Sequence, residues 1–120
     1  QLQIEIISLS DTVGVATPDL IQTLFEVQTQ AFPQIDFGAH LHSRPEAVGE
    51  KVIAGLKGGC QRFDGALMGF GGCPMAKDDL VGNMATELMI QTLEHEGYDL
   101  NLKKSELQEA MKLAKFVFNP

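Results

Sequence analysis

An α/β fold built around a parallel sheet is the class this sequence predicts, and three observations predict it. Apolar runs of strand length alternate with longer stretches whose apolar residues recur at helical spacing. Helix-opening and helix-closing residues stand at the junctions between them. The residues with ligating or acid–base chemistry gather at or just beyond the carboxyl ends of the expected strands, where α/β proteins bind ligands.

The elements follow in order. Leu2 to Ser10 is apolar and rich in isoleucine, which suits a buried strand. Thr17-Pro18-Asp19 opens a helix, with Thr17 as cap and Pro18 in the first helical position. Leu20, Ile21, Leu24, Val27 and Ala31 give that helix one apolar face, and Phe32-Pro33 stops it. Asp36 to His42 is the second strand. Pro45 opens a second helix, whose Val48, Val52, Ile53 and Leu56 form a face before Gly58-Gly59 ends it. Arg62 to Met68 is the third strand and runs into a glycine-rich loop. A helix from about Met84 to Glu96 ends at Gly97. The last helix, roughly Lys103 to Phe118, packs through Leu107, Ala110, Met111, Ala114 and Val117. Three βα units in series imply right-handed crossovers and a sheet in sequence order.

At 120 residues and 44% apolar composition, the chain makes one domain with a buried core and is no acidic disordered tail. A net charge of −7 with scattered basic residues argues against a nucleic-acid partner, and Lys103-Lys104 reads as a solvated helix face. No apolar run approaches the roughly 20 residues that span a bilayer, so no membrane partner is expected. Nothing at Gln1 has the pattern of a signal peptide. The two cysteines, Cys60 and Cys73, lack zinc-type spacing, and counting alone leaves a disulfide open. A thiol on a glycine-rich loop is useful only when free. That points to a reducing compartment: the cytoplasm, or the mitochondrial matrix in a eukaryote. Cys60, ahead of a strand, reads as simply buried.

The chemistry concentrates in two places. His40 and His42 stand two apart on a strand, so both imidazoles leave the same face. With an amide oxygen they suit a divalent cation that also takes oxygen ligands. The second place is Gly71-Gly72-Cys73-Pro74, a turn that presents a thiol, followed closely by Asn83 and Glu87. Together they read as a metal-assisted active site on loops. A bare His-x-His is more often a pair of polar residues on a half-exposed strand, so the weight rests on the combination.

Ser8-Leu9-Ser10-Asp11-Thr12-Val13-Gly14, His40-Leu41-His42, and Gly71-Gly72-Cys73-Pro74 through Gly82-Asn83-Met84-Ala85-Thr86-Glu87 occur in this order. On these segments the chain resembles the 3-hydroxy-3-methylglutaryl-CoA lyase family, up to about Glu87. The Gly-Gly-Cys-Pro signature carries the specificity. Two stretches depart from the family pattern: Ser43-Arg44-Pro45-Glu46 stands where Asp-Thr commonly follows the second histidine, and Lys77-Asp78-Asp79 is a more charged insert.

The resemblance implies a partial (β/α)8 TIM barrel: the last three βα units, a three-stranded parallel sheet and the C-terminal helices. Residues 1–120 would then be the C-terminal part of a single lyase barrel domain. Composition alone indicates only a small open α/β sandwich. The resemblance further implies cleavage of 3-hydroxy-3-methylglutaryl-CoA, an acyl-CoA substrate, to acetoacetate and acetyl-CoA. It implies Mg²⁺ or Mn²⁺ held by His40, His42 and Asn83, Cys73 as the acid/base, and His40 sharing the proton traffic. Asp11 and Glu87 would sit beside the site. In the family a further metal-binding aspartate and an adjacent arginine come from the first barrel strand, along with most coenzyme A contacts; neither residue is found here. The isolated chain is therefore expected to be inactive. A start within a strand and without methionine adds the expectation of a piece of a longer protein. Two open sheet edges and an uncovered inner face, expected to be apolar, predict a homo-oligomer.

Plainer readings stand beside these roles. Asn83 is equally a helix N-cap ahead of Met84 to Glu87. Glu87 is a first-turn carboxylate facing the helix dipole. Asp11 either orients substrate or metal-bound water or only caps its loop, and Asp64 in mid-strand has a structural partner. Two other functions compete. One is a related metal-dependent acyl-CoA condensing or lyase enzyme, which is not expected to carry the cysteine loop. The other is a non-catalytic α/β interaction module.

Overall fold

The computed structural model describes residues 3–72 and 81–118. In it the chain runs β1 (Ile6–Asp11), α1 (Pro18–Ala31), β2 (Asp36–Leu41), α2 (Val48–Lys57), β3 (Arg62–Asp64), α3 (Thr86–His95) and α4 (Lys104–Phe118). Short 3-10 turns at Pro45–Ala47 and Leu67–Gly69 lead into α2 and follow β3. The three strands are parallel in the order β1-β2-β3, with Ser10 opposite His40 and His40 opposite Asp64. This is the sheet that the alternating pattern predicts.

Local signals set most of the boundaries. Thr17 Oγ1 accepts from the Leu20 amide at 3.3 Å, so the expected cap opens α1 with Pro18 in its first turn. At the other end the Phe32 amide donates to Gln28 O at 2.9 Å before Pro33 forbids another turn. One face of the sheet carries Phe37, Ala39 and Leu41. These pack with Ile21 and Phe25 of α1, with Val48, Val52 and Ala54 of α2, and with Met84 and Met89. The chemistry-bearing face is the opposite one.

Several expectations need correction. The third strand was expected to reach Met68 but ends at Asp64, because the chain changes partner. Ala66 N donates to Met84 O at 3.1 Å and Thr86 N to Ala66 O at 2.9 Å, so the segment pairs with residues 84–86 instead. A side chain on Gly65 would meet the Met89 side chain and, at 2.7 Å, Met84 O, which only a glycine permits. The helix expected from Met84 begins at Thr86, leaving Met84 fully buried in the core. On α1 the buried residues are Ile21 and Phe25, while Leu20, Leu24 and Val27 remain exposed. On α4 only Ala114 is buried, and Val117 is open; the helix meets the turn after β3 through Phe118, 4.6 Å from the Phe70 ring centroid.

The inner face is also not apolar. By alternation and register, Ile6, Ser8, Ser10, Asp36, Gly38, His40, Arg62 and Asp64 line it. It is a mostly polar surface with an exposed Ile6 at its start, which weakens the argument that burial alone would drive self-association.

Cys60 is buried as expected, 1% exposed, with its Sγ donating a hydrogen bond to Arg62 O at 3.0 Å. Burial pushes the thiol pKa up to about 11 from 9.0. A raised thiol pKa in the fold means stability that is fully present below the unfolded value and lost as pH climbs through the folded one. Unfolding free energy is therefore expected to fall between about pH 9 and about pH 11, by on the order of 3 kcal/mol. Denaturant titrations across that range check it: Cys60→Ala should flatten the slope, and an identical slope in the variant would remove the thiol as its source. Lys51 titrates in both proteins, so the difference isolates Cys60.

Candidate active site

Parallel strands expose their last carbonyls and amides at the carboxyl end of the sheet, and the next segment of chain must satisfy them. Here residues 81–84 do so. The Ser43 amide donates to Gly82 O at 3.1 Å, the Met84 amide to Leu41 O at 3.3 Å, and His42 bridges Asn83 in antiparallel fashion. This pairing places Asn83 beside His42 although 41 positions separate them in the chain. It also uses the stretch in which the N-cap reading placed Asn83; the cap position falls to Ala85, which offers no side-chain acceptor.

The two imidazoles share one face, ring centroids 5.7 Å apart and planes inclined by 63°. His42 is 5% exposed, and its Nδ1 lies 3.1 Å from Val81 O. A carbonyl can only accept, so Nδ1 carries the proton and the Nε2 lone pair is left to bind. Asn83 Nδ2 donates to Phe70 O at 2.9 Å, which turns the amide oxygen the other way. Both contacts orient a ligand from behind, as outer-shell partners of metal sites do. His40 Nδ1 lies 3.8 Å from Asp64 Oδ2, and Ser8 Oγ donates to the same oxygen at 3.3 Å. The carboxylate faces Nδ1 of His40, on the side of the ring away from Nε2. Two imidazoles and an amide oxygen thus fit a divalent cation as an incomplete, uncharged ligand set. Among the described residues no group of three or more His, Cys, Asp or Glu could hold a metal ion.

Cys73 lies outside the described residues, as does Lys77-Asp78-Asp79. The roots of its loop are described. Gly72 bridges Gly82 in antiparallel fashion, and the Asn83 amide donates to Gly71 O at 3.0 Å. A side chain on Gly82 would run into Gly69 O and come within 3.0 Å of Gly71 O, so the close approach requires glycine. The stem therefore rises next to His42.

Asp11 is committed to its own loop. Its carboxylate accepts from the amides of Val13 at 3.3 Å, Gly14 at 2.9 Å and Ala16 at 2.7 Å. Burial raises its pKa, but the backbone amides from Val13 to Ala16 outweigh that and hold it below the usual carboxylate value. Glu87 accepts from the Met68 amide at 3.0 Å, bracing a residue in the left-handed region (φ 58°) just ahead of the glycine loop. Sequence reasoning missed Lys51 altogether. Its position on α2 was a signal: with Val48, Val52 and Gly55 it falls on the i, i+3, i+4, i+7 stripe that faces the core. Burial pushes its pKa down, and Asp11 and Glu50 pull it back up.

The HMGL-like family model matches residues 1–117, nearly the whole chain. The chain belongs to the HMGL-like family. Among relatives of this HMGL-like chain, the hydroxymethylglutaryl-CoA lyase of Bacillus subtilis is 34% identical over 106 residues, covering 88% of this chain and 35% of that protein. The crystal structure of Bacillus subtilis HMG-CoA lyase superposes with a TM-score of 0.82 at 33% identity, covering 94% of this chain and 38% of that one. An HMG-CoA lyase from Acinetobacter baumannii, solved with coenzyme A and 3-methylmalate, gives a TM-score of 0.75 at 27% identity over 90% of this chain and 35% of that one. The described βα units are thus part of a (β/α)8 barrel, and the chain spans about a third of the length of the relatives it matches. Among the described residues no helix is long and apolar enough to cross a membrane.

Proposed function

We propose that the protein carrying this chain is a carbon–carbon lyase that cleaves 3-hydroxy-3-methylglutaryl-CoA to acetoacetate and acetyl-CoA. The observation that carries this reading is the backbone pairing of His42 with Asn83, which gathers two imidazoles and an amide at the root of the Cys73 loop. The family membership and the acyl-CoA chemistry named for its relatives support it.

In this reading His40, His42 and Asn83 hold Mg²⁺ or Mn²⁺. The cation, when bound, would polarise the hydroxyl and carboxylate oxygens of the substrate and lower the hydroxyl pKa. Val81 O and Phe70 O keep the His42 ring and the Asn83 amide in ligating orientation. Loss of the hydroxyl proton lets the carbon–carbon bond break, leaving acetoacetate and the enolate of acetyl-CoA. Cys73 Sγ gives its proton to the enolate carbon and is restored by the proton the hydroxyl released, so the reaction balances without oxidant or reductant. A ligated His40 has no lone pair left for proton transfer, and Asp64 beside its Nδ1 favours the ligand role.

The test is acetyl-CoA release from 3-hydroxy-3-methylglutaryl-CoA by the full-length protein. Release that stops on chelation and returns with Mg²⁺ or Mn²⁺ supports the assignment; no release at any metal loading removes it. The 120-residue chain alone is expected to be inactive. With its uncharged donors it should bind Zn²⁺ or Ni²⁺ more tightly than Mg²⁺, which prefers several oxygens. Titration calorimetry checks this, and tighter Mg²⁺ binding would discard the ligand set.

A further inference from the structure

Lys51 is 4% exposed, on a helix face that otherwise enters the apolar core, and the reaction above makes no use of it. An ammonium is expensive to bury unless acceptors surround it. Its Nζ donates to His42 O at 3.0 Å and to Gly14 O at 3.2 Å, and it lies 3.9 Å from Asp11 Oδ2. These acceptors come from the residue just past β2, the turn after β1, and the end of β1. One cation therefore ties together the carboxyl ends of two parallel strands.

The tie falls on His42 in particular. Its amide donates to Asp11 O at 2.8 Å, its Nδ1 meets Val81 O, and its carbonyl is taken by Lys51. Without the ammonium the carbonyl loses this buried donor, and Gly14 O loses its tie to the strand beside it, leaving the His42 amide bond to Asp11 O as the remaining link.

We propose that Lys51 is a positioning residue for the His42 imidazole, holding the His42 peptide and the Asp11–Gly14 turn in one arrangement so that Nε2 is presented in a fixed direction. The consequence for metal binding rests on the reading of His42 as a ligand; the orientation of the ring does not.

The experiment uses the full-length protein with Lys51→Met, which keeps length and removes the donors, and Val52→Ala, which damages the neighbouring core without touching the tie. Two readouts are taken: ring ¹H–¹⁵N resonances of His42 without metal, and Mn²⁺ affinity from the free-ion electron paramagnetic resonance signal. Lys51→Met is expected to move the His42 ring resonances and weaken Mn²⁺ binding by about 10- to 100-fold, the usual effect of losing an outer-shell partner. Val52→Ala is expected to lower thermal stability and leave both unchanged. Unmoved ring resonances in Lys51→Met, with stability alone reduced, would make Lys51 a mere brace and overturn the proposal. If the parent protein takes up no Mn²⁺, the ligand reading fails, and the ring resonances still decide on Lys51. Should Lys51→Met not fold, Lys51→Arg, which keeps the charge and moves the donors, is judged by the same two readouts.

Discussion

Cys73→Ser in the full-length protein is expected to cut turnover by about 10²- to 10⁴-fold, the range lost with a positioned general acid or base, while metal and substrate binding stay close to normal. A hydroxyl fits where the thiol sat, but its pKa is far too high for it to exchange a proton with an enolate at useful rates. The proposed ligands lie elsewhere, His40 on β2 and His42 paired with Asn83, and are untouched by the change. His40→Ala should behave differently. It removes one imidazole of the pair, and with it the cation, so binding and turnover fall together. Steady-state kinetics beside Mn²⁺ titration separate the two cases. Near-normal turnover in Cys73→Ser would end the assignment of the thiol as proton donor.

Phe25→Ala should produce the largest loss of stability, about 3–5 kcal/mol. Phe25 is 1% exposed and sits where α1, α2 and the sheet meet. A Cβ on Gly58 would lie 2.6 Å from Phe25 Cβ, so the end of α2 runs directly against this residue. Backbone that close is held between the middle of α1 and the end of α2 and cannot easily collapse into the void. Since a domain holds only about 5–15 kcal/mol in total, urea unfolding should shift far to lower denaturant. A loss under about 1.5 kcal/mol, the cost of a mere Ile→Val change, would mean that the helices close the gap after all.

The parts of the fold that the sequence made legible are those decided within a few residues. Thr17-Pro18 and Phe32-Pro33 bracket α1 because capping and proline geometry act locally. The shared face of His40 and His42 follows from strand alternation alone. What escaped was decided across the chain. β3 stops at Asp64 because Ala66 exchanges its strand partner for residues 84–86, which no pattern within 62–68 records. The cap reading of Asn83 fell only once the bridge to His42 showed which backbone it belongs to, with Ala85 at the cap. The exposed side of α1 was read as core because helical periodicity marks an apolar stripe without saying how much of it is covered. On α2 the stripe was read through Val48, Val52, Ile53 and Leu56, whereas the buried side is Val48, Lys51, Val52, Ala54 and Gly55, so the charge that lies on it was passed over.

The paired glycines give the loop a fixed stem. Gly72 opposite Gly82 closes a ring of backbone, and Asn83 and His42 lie outside that ring. Val81 is an exception to that separation, since its carbonyl holds the His42 imidazole; lengthening the segment before it costs closure entropy that grows slowly, by about 0.6 kcal/mol per doubling of length. The cation ligands would keep their places throughout. In the proposed reading, the segment that carries the thiol and the charged Lys77-Asp78-Asp79 can then vary in sequence while the residues proposed to hold the cation stay as they are.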